Sequence, residues 1–504
     1  MKARVSVHKD FKIATIDDRI YSAFLEHLGR AVYGGIYEPG HKTADADGFR
    51  GDVLDLVRGL KAPLVRYPGG NFVSNYDWTD GIGPRDQRPK RLDLAWRTTE
   101  TNQVGTDEFI RWCRKAGTEP MLAVNLGTKG FTEALAMLEY CNHPGGSYWS
   151  DLRKKNGSKD PHNVRVWCLG NEMDGPWQMN HRTAYEYGRV ANEVARGMKV
   201  FDPTLELVAC GSSHANMPTY PAWEAEVLDE CYNNVDYVSL HTYWDNWDND
   251  TLNFLAKPVL LERYIETVSG IIDYIKAKKR SKHNVYISFD EWNVWYHSRA
   301  RDGSDADGKN VRNWQAAPPI LEDIYNFEDI LLIGCVLNTF IRRSDRVRVA
   351  CIAQLVNVIA PIMTENGGPA WKQTIYYPYY YASLYGRGDA LNVAVDAPTY
   401  DAKVADDVPY LDVSAVRNDD GHVTLFAVNR HPDEDMTIDV NLAGFTPTGI
   451  GEHITIAGYD LNATNTAKAQ NRVVPGKGKG VAVRDGAVKG KLPPRSYHVI
   501  RVKI

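Results

Sequence analysis

Between Arg19 and Asn357 one texture recurs eight times: a short apolar run ends in polar or glycine residues, and an amphipathic stretch follows. The runs are IYSAFLEH, PLVRYPGGN, PMLAVNLG, VRVWCLGNE, ELVACGSS, DYVSLHTYW, NVYISFDEWN and VACIAQLVN. Their apolar cores are too short for helices and rich in Val, Ile, Leu and Tyr, so each predicts a strand. The intervening stretches, such as TDEFIRWCRKAG from Thr106 and RTAYEYGRVANEVARGMKVF from Arg182, predict helices. Thr106 with Asp107 offers a cap for the first of these and Gly117 a stop. Eight strands alternating with helices predict an α/β fold, a closed (β/α)8 TIM barrel, more economically than a doubly wound sheet. A dinucleotide-binding sheet would want GxGxxG after its first strand, where Glu26-His27-Leu28-Gly29 stands instead, and no GxxxxGK[ST] is present.

After about Tyr381 the texture changes to short alternating segments: YLDVSAVR, HVTLFAVNR, MTIDVNLAG, HITIAGYDL, VAVRDG and SYHVIRVKI. Turn signals such as Asn418-Asp419-Asp420-Gly421 separate them, which predicts a jelly-roll-like β-sandwich. The stretch ARVSVHKDFKIATI from Ala3 alternates in the same way, so a strand before the barrel is expected to pair into that sandwich. The expected division is a catalytic barrel over residues 18–380, with residues 1–17 and 381–504 forming the sandwich.

Composition serves mainly to exclude. A net charge of -5 leaves no basic footprint for nucleic acid or for an anionic membrane. No window approaches the roughly 20 apolar residues of a membrane span. The N-terminal MKARVSVHKDFK lacks the apolar core of a secretory leader. The seven cysteines are odd in number and never spaced as CxxC. Cys168, Cys210, Cys335 and Cys351 sit inside apolar runs, so a cytoplasmic location is expected. RDGSDADGKN places Asp305, Asp307 and Gly308 on the calcium-loop pattern, but Gly303 holds its first ligand position and Trp314 its last. A solvated loop is the expectation there. HExxH is absent as well, and neither a metal nor an organic cofactor is expected.

In such a barrel the active site lies at the C-terminal ends of the strands. The polar residues that end the runs are Glu26 and His27; Arg66 and Asn71; Asn125; Asn171 and Glu172; Ser212 and Ser213; His241 and Tyr243; Glu291; Gln354 and Asn357. A crown of carboxylates, amides, imidazole and phenol suits an uncharged polyhydroxylated ligand. Glu172 and Glu291 stand out because each is a carboxylate on a strand expected to be buried. Glycoside hydrolysis needs two such acids, one to protonate the leaving oxygen and one to attack the anomeric carbon or activate water. A separation of about 5 Å gives retention and about 6.5–9.5 Å inversion, and the sequence leaves that choice open. Tyr243, on the strand beside Glu291, can donate to it and favour the charged form a nucleophile needs. Arg66 can add positive potential. Apolar walls and a nearby anion would keep Glu172 protonated, and Asn171 can bind the sugar 2-hydroxyl. Each group also has a plainer reading: His241 and Tyr243 as satisfied core groups, Arg66 and Gln354 as internal barrel contacts, the tryptophans as packing.

With those residues in view, the chain resembles glycoside hydrolase family 51, the α-L-arabinofuranosidases, within the retaining clan A of barrel glycosidases. The resemblance is carried by FLEHLGRAVYGGIYEP, VRYPGGNFVSNYDWTDGIGP, NEMDGPWQ, HTYW, FDEWNVWY and IAQLVNVIAPI, and it spans essentially the whole chain. It implies Glu172 as general acid/base and Glu291 as nucleophile, in a two-step displacement with retention. Glu26, Asn71, Asn171, Tyr243 and Gln354 fall where the family binds arabinofuranose. Arg66 and His241 match supporting positions, and Trp295 and Trp96 match aromatics near the substrate. The expected substrates are arabinofuranosyl groups on arabinoxylan or arabinan oligosaccharides, and a homo-hexamer is implied. Rival readings are a clan-related endo-glucanase or β-xylosidase and, from another class, a non-catalytic sugar-binding protein. The retention of both acids speaks against the last.

Overall fold

The computed structural model describes residues 1–302 and 313–504. All eight apolar runs become strands of one closed parallel barrel. They are β1 (Ser22–Phe24), β2 (Leu64–Tyr67), β3 (Glu119–Val124), β4 (Val166–Leu169), β5 (Glu206–Cys210), β6 (Tyr237–Trp244), β7 (Tyr286–Val294) and β8 (Val347–Ala353). Neighbours in sequence are neighbours in space, and β8 closes on β1 through Ile352 opposite Ala23. The runs read as continuously apolar because such strands are covered on both faces. In β4 all four residues are buried.

The helix Thr106–Ala116 ends as expected at Gly117, whose φ of 74° is left-handed. Its start differs from the sequence reading. The N-cap is Gly105, not Thr106, and the Gly105 amide donates to Glu108 Oε2 at 3.0 Å. The reason is a close backbone approach: a Cβ at position 105 would fall 1.9 Å from the carbonyl oxygen of Gly81.

The second layer is a ten-stranded, mostly antiparallel sheet. Its members include the N-terminal strand Lys2–Thr15, antiparallel to Asp389–Asp396 and parallel to Met436–Ala443. Period-2 alternation sorts its side chains. Along His422–Asn429, Val423, Leu425 and Ala427 enter the sandwich core, while Phe426 and Val428 join the barrel core. Strands Asp389–Asp396 and Ala487–Leu492 also belong to the sheet, although their sequence alternation is weak.

Barrel and sheet meet on the helix Phe327–Arg342, buried from Phe327 to Ile341, as an all-round apolar helix must be. Its polar exceptions are paired. Asn338 Nδ2 donates to Asp412 Oδ1 at 2.6 Å and receives Ser414 Oγ on its own Oδ1 at 2.7 Å. All seven cysteines are free and buried. Among the described residues no helix is long and apolar enough to cross a membrane. The RDGSDADGKN stretch falls at 301–310, so most of the expected solvated loop lies outside the described residues.

Candidate active site

The C-terminal strand ends open into a cleft of about 810 Å³. Its lining includes Glu26, Asn71, Trp96, Glu172, Tyr243, Glu291, Trp295 and Gln354, all sequence candidates. Asn171, Arg66 and His241 lie just beneath, bonded to the lining acids or to each other.

Glu172 owes its place to a sharp turn after β4. Gly170 has φ 90°, and Glu172 itself is held at φ 44°. That conformation is left-handed and costs a non-glycine residue about 1–3 kcal/mol. The turn swings the carboxylate over the barrel mouth. Its Oε1 lies 2.9 Å from His241 Nδ1, and its Oε2 accepts from Trp177 Nε1 at 2.7 Å.

Glu291 sits on β7, where the ladder slips. Register shifts against β6 fall between Ser288 and Glu291, and against β8 between Phe289 and Trp292. Strict alternation would send adjacent Asp290 and Glu291 to opposite faces; the bulge brings both into the buried polar centre. Arg66 Nη1 donates to Glu291 Oε1 at 2.7 Å, and Tyr243 Oη to Oε2 at 2.8 Å. The other arm of the Arg66 fork, Nη2, donates to Asn171 Oδ1 at 2.6 Å. Asn171 Nδ2 is left buried with no protein partner.

Asp290, wholly buried, was not singled out in the sequence. Its Oδ1 lies 2.9 Å from His241 Nε2 and accepts from Ser239 Oγ at 2.6 Å, while Oδ2 accepts from Ser288 Oγ at 3.0 Å. Burial alone would strip the proton from His241, but the charge of Glu291 and the bonds to Asp290 and Glu172 outweigh it. The imidazolium persists up to about pH 10. Burial likewise favours the neutral form of Asp290, yet Arg66 and His241 reverse this and hold its carboxyl below the usual range. In Glu172 burial wins with help from the Glu291 charge, so its pKa is raised against the pull of His241 and Trp177.

A second cluster forms the floor. Glu26 Oε1 accepts from the Phe72 amide at 2.9 Å and from Trp96 Nε1 at 3.0 Å. Gln354 Nε2 donates to Glu26 Oε2 at 3.3 Å, and its Oε1 accepts the Glu26 amide at 3.0 Å. Burial and the nearby Glu291 push Glu26 up to about 8. Gly70 spans the gap between clusters: a Cβ there would meet Glu291 Oε1 at 3.0 Å, Asn171 Nδ2 at 3.3 Å and Glu26 Oε2 at 3.4 Å. The outer wall is aromatic, with Trp295 edge-on to Tyr243 at 5.2 Å and Trp177 over His214 at 6.2 Å. Trp177 is a further residue the sequence reading passed over, although NEMDGPWQ contains it.

Chosen atoms of Glu172, His241 and Glu291 all lie within 4.8 Å of one another. Such a triad could in principle hold a cation. A ring protonated on both nitrogens has no lone pair to give, so the arrangement favours proton transfer over metal binding.

Two acids this close at the mouth of a parallel barrel, in a cleft that also presents amides and aromatic rings, are the architecture of a glycoside hydrolase. Comparison with known proteins narrows the class. Residues 56–252 match the family model described as the alpha-L-arabinofuranosidase 1 domain, and residues 290–496 match the alpha-L-arabinofuranosidase C-terminal domain. The chain is 54% identical over 503 residues to an intracellular exo-alpha-(1->5)-L-arabinofuranosidase of Halalkalibacterium halodurans, covering 100% of this chain and 99% of that one. It is 53% identical to intracellular exo-alpha-(1->5)-L-arabinofuranosidase 1 of Bacillus subtilis, with the same coverage. Among solved structures, the family 51 alpha-L-arabinofuranosidase AbfB of Bifidobacterium longum superposes with TM-score 0.94 at 44% identity, covering 99% of each chain. The chain belongs to glycoside hydrolase family 51, the α-L-arabinofuranosidases.

Proposed function

We infer that the chain is an exo-acting α-L-arabinofuranosidase working with retention, with Glu172 as general acid/base and Glu291 as nucleophile. The observation that carries this reading is the approach of a Glu172 oxygen to a Glu291 oxygen within 4.8 Å. That separation suits the closely spaced acids of a retaining site, one of which attacks the anomeric carbon directly, rather than the pair about 6.5–9.5 Å apart of an inverting one. The surroundings divide the roles. Arg66 and Tyr243 fix both oxygens of Glu291 for attack, while the raised pKa of Glu172 supplies a proton donor.

In this reading Glu26, Trp96, Gln354 and Asn71 enclose a single terminal furanose, which favours exo action. The unpartnered Asn171 Nδ2 offers a donor to a sugar hydroxyl. Trp295 walls the side from which the chain enters. Substrates are arabinofuranosyl groups on arabinan or arabinoxylan oligosaccharides. Relatives named exo-alpha-(1->5) support the linkage, and an Exo-alpha-(1->6)-L-arabinofuranosidase of Bifidobacterium longum, 46% identical, marks the nearest alternative. The intracellular names of the relatives and the seven buried thiols support a cytoplasmic location. Family resemblance supports a homo-hexamer.

Proton NMR of the sugar released in the first minutes of hydrolysis tests the mechanism. The α-anomer should appear first and the β-anomer only by mutarotation. Initial release of the β-anomer would overturn the reading.

A further inference from the structure

The two donors on Glu172 differ in kind. His241 is buried, and Asp290 pins it from behind, so its hold on Oε1 is fixed. Trp177, on Oε2, lies on the loop after β4, is 37% exposed and lines the cleft, stacked over His214. Oε2 is therefore the oxygen turned toward the outer part of the cleft, where the oxygen of a leaving group must arrive. Gly175 lets the indole lie there. A Cβ at that position would fall 2.5, 2.7 and 2.9 Å from three indole atoms, Nε1 among them.

An indole N–H can only donate. It bonds well to a carboxylate and poorly to the O–H oxygen of a neutral acid. A glycosidic oxygen has the opposite preference, since it accepts from the acid. Two partners of opposite polarity thus compete for Oε2, and each selects one protonation state of Glu172.

We propose that Trp177 is a positioning residue that couples the protonation of Glu172 to the leaving group, yielding Oε2 to the glycosidic oxygen and returning to the carboxylate once the alcohol departs. The proposal rests on Glu172 as the acid/base and Glu291 as the nucleophile. In the first step the Oε2 proton passes to the glycosidic oxygen as its bond to the anomeric carbon breaks and a Glu291 oxygen bonds that carbon. A neutral alcohol leaves, and Glu172 is a carboxylate that the indole stabilises. In the second step Glu172 takes a proton from water, whose oxygen bonds the anomeric carbon as the Glu291 ester bond breaks. Both carboxyl groups then return to their starting states.

Other charged and titratable groups face Glu172 from the packed strands: His241 and Tyr243 on β6 and Glu291 on β7, with Tyr264 on the helix Pro258–Lys278 behind the wall. Trp177 differs from these in being able to move without opening the core.

The test uses Trp177→Phe, which keeps the aromatic wall but loses the N–H, and Gly175→Ala, which displaces the ring. The pH profile of kcat/KM is read with an arabino-oligosaccharide, whose leaving group needs the acid, and the rate of glycosyl-enzyme hydrolysis with an activated aryl arabinofuranoside, after thermal melts establish folding. Removing a donor from the carboxylate should move the alkaline limb of kcat/KM up by about one pH unit in Trp177→Phe. Hydrolysis of the glycosyl-enzyme should slow by about fivefold or more, since the carboxylate, although a stronger base, loses the donor that orients it toward water. An unmoved alkaline limb, or a change in KM alone, overturns the proposal whatever Gly175→Ala does. Glu172→Ala, run in parallel, separates the two readings. Equal loss on activated and natural substrates would reject Glu172 as acid/base; selective loss with an unmoved Trp177→Phe limb would reject only the role of Trp177.

Discussion

Arg66 reaches Glu291 at 2.7 Å with one arm of its guanidinium fork while the other holds Asn171, so one buried cation aligns both a reacting carboxylate and a sugar-binding amide. Lysine offers one compact charge and cannot serve both partners. Arg66→Lys should therefore keep most of the fold yet lower kcat/KM about a hundredfold, the equivalent of losing one charge-assisted hydrogen bond of about 2–3 kcal/mol. Arg66→Met should also destabilise the protein by about 3–5 kcal/mol, because Glu291 and Asp290 are left buried with His241 as their remaining counter-ion. Steady-state kinetics and denaturant melts of both variants check the split; equal kinetics for Arg66→Lys and the parent would contradict it.

The two acids should fail differently. Glu291→Ala removes the nucleophile, so every substrate is lost, and azide should restore turnover with inverted product. Glu172→Ala removes a proton donor worth about 10²–10⁴-fold on natural linkages. It should spare the formation of glycosyl-enzyme from good aryl leaving groups, which need little protonation. A stopped-flow burst on an aryl substrate, compared with release from an arabino-oligosaccharide, reads the difference.

Much of this was legible in the chain because strand-end chemistry is local. A buried parallel strand must read as an apolar run, and its last polar residue must face the barrel mouth, so the eight runs yielded both the barrel and Glu26, Glu172, His241 and Glu291. Asp290 escaped for the opposite reason. Alternation assigns it to the face away from Glu291, and a bulge, which leaves no sequence signature here, cancels that rule. Trp177 escaped because its contact depends on how a loop folds back over Gly175. Gly105 was passed over as a cap because the need for it arises from the backbone of Gly81, far away in sequence. The separation of the two acids is likewise a property of packing and never of spacing along the chain.

His241 predicts a pH dependence of stability. Burial opposes its charge, but Glu291, Asp290 and Glu172 raise its folded pKa from 6.5 to about 10. A group whose pKa is raised on folding contributes stability that is complete below the unfolded value and is lost as pH rises through the folded one. The window is therefore about pH 6.5 to 10. The gap in melting temperature between the parent and His241→Gln should be widest near pH 6, shrink to about half near pH 8 and close toward pH 10. A gap that stays constant over that range would show that the ring is neutral in the folded protein.

Gly334 lies in the middle of the helix that joins barrel to sandwich, where alanine would ordinarily be the better residue by about 1 kcal/mol. Here the helix side of that ledger loses. A Cβ at 334 would fall 2.7 Å from Tyr497 Cδ2 and 3.0 Å from Val428 Cγ2. Both neighbours are fully packed, with Tyr497 1% and Val428 0% exposed, so neither can retreat as a flexible chain end would. Overpacking of this kind costs about 1–3 kcal/mol, which outweighs the gain in helix propensity. Gly334→Ala should thus lower stability by up to about 2 kcal/mol while leaving kcat/KM within a factor of two, because the helix touches the sheet and not the cleft. Chemical denaturation alongside kinetics decides the matter: a stabilised variant would mean that sheet and barrel can slide apart at no cost, and that the helix does not set their spacing.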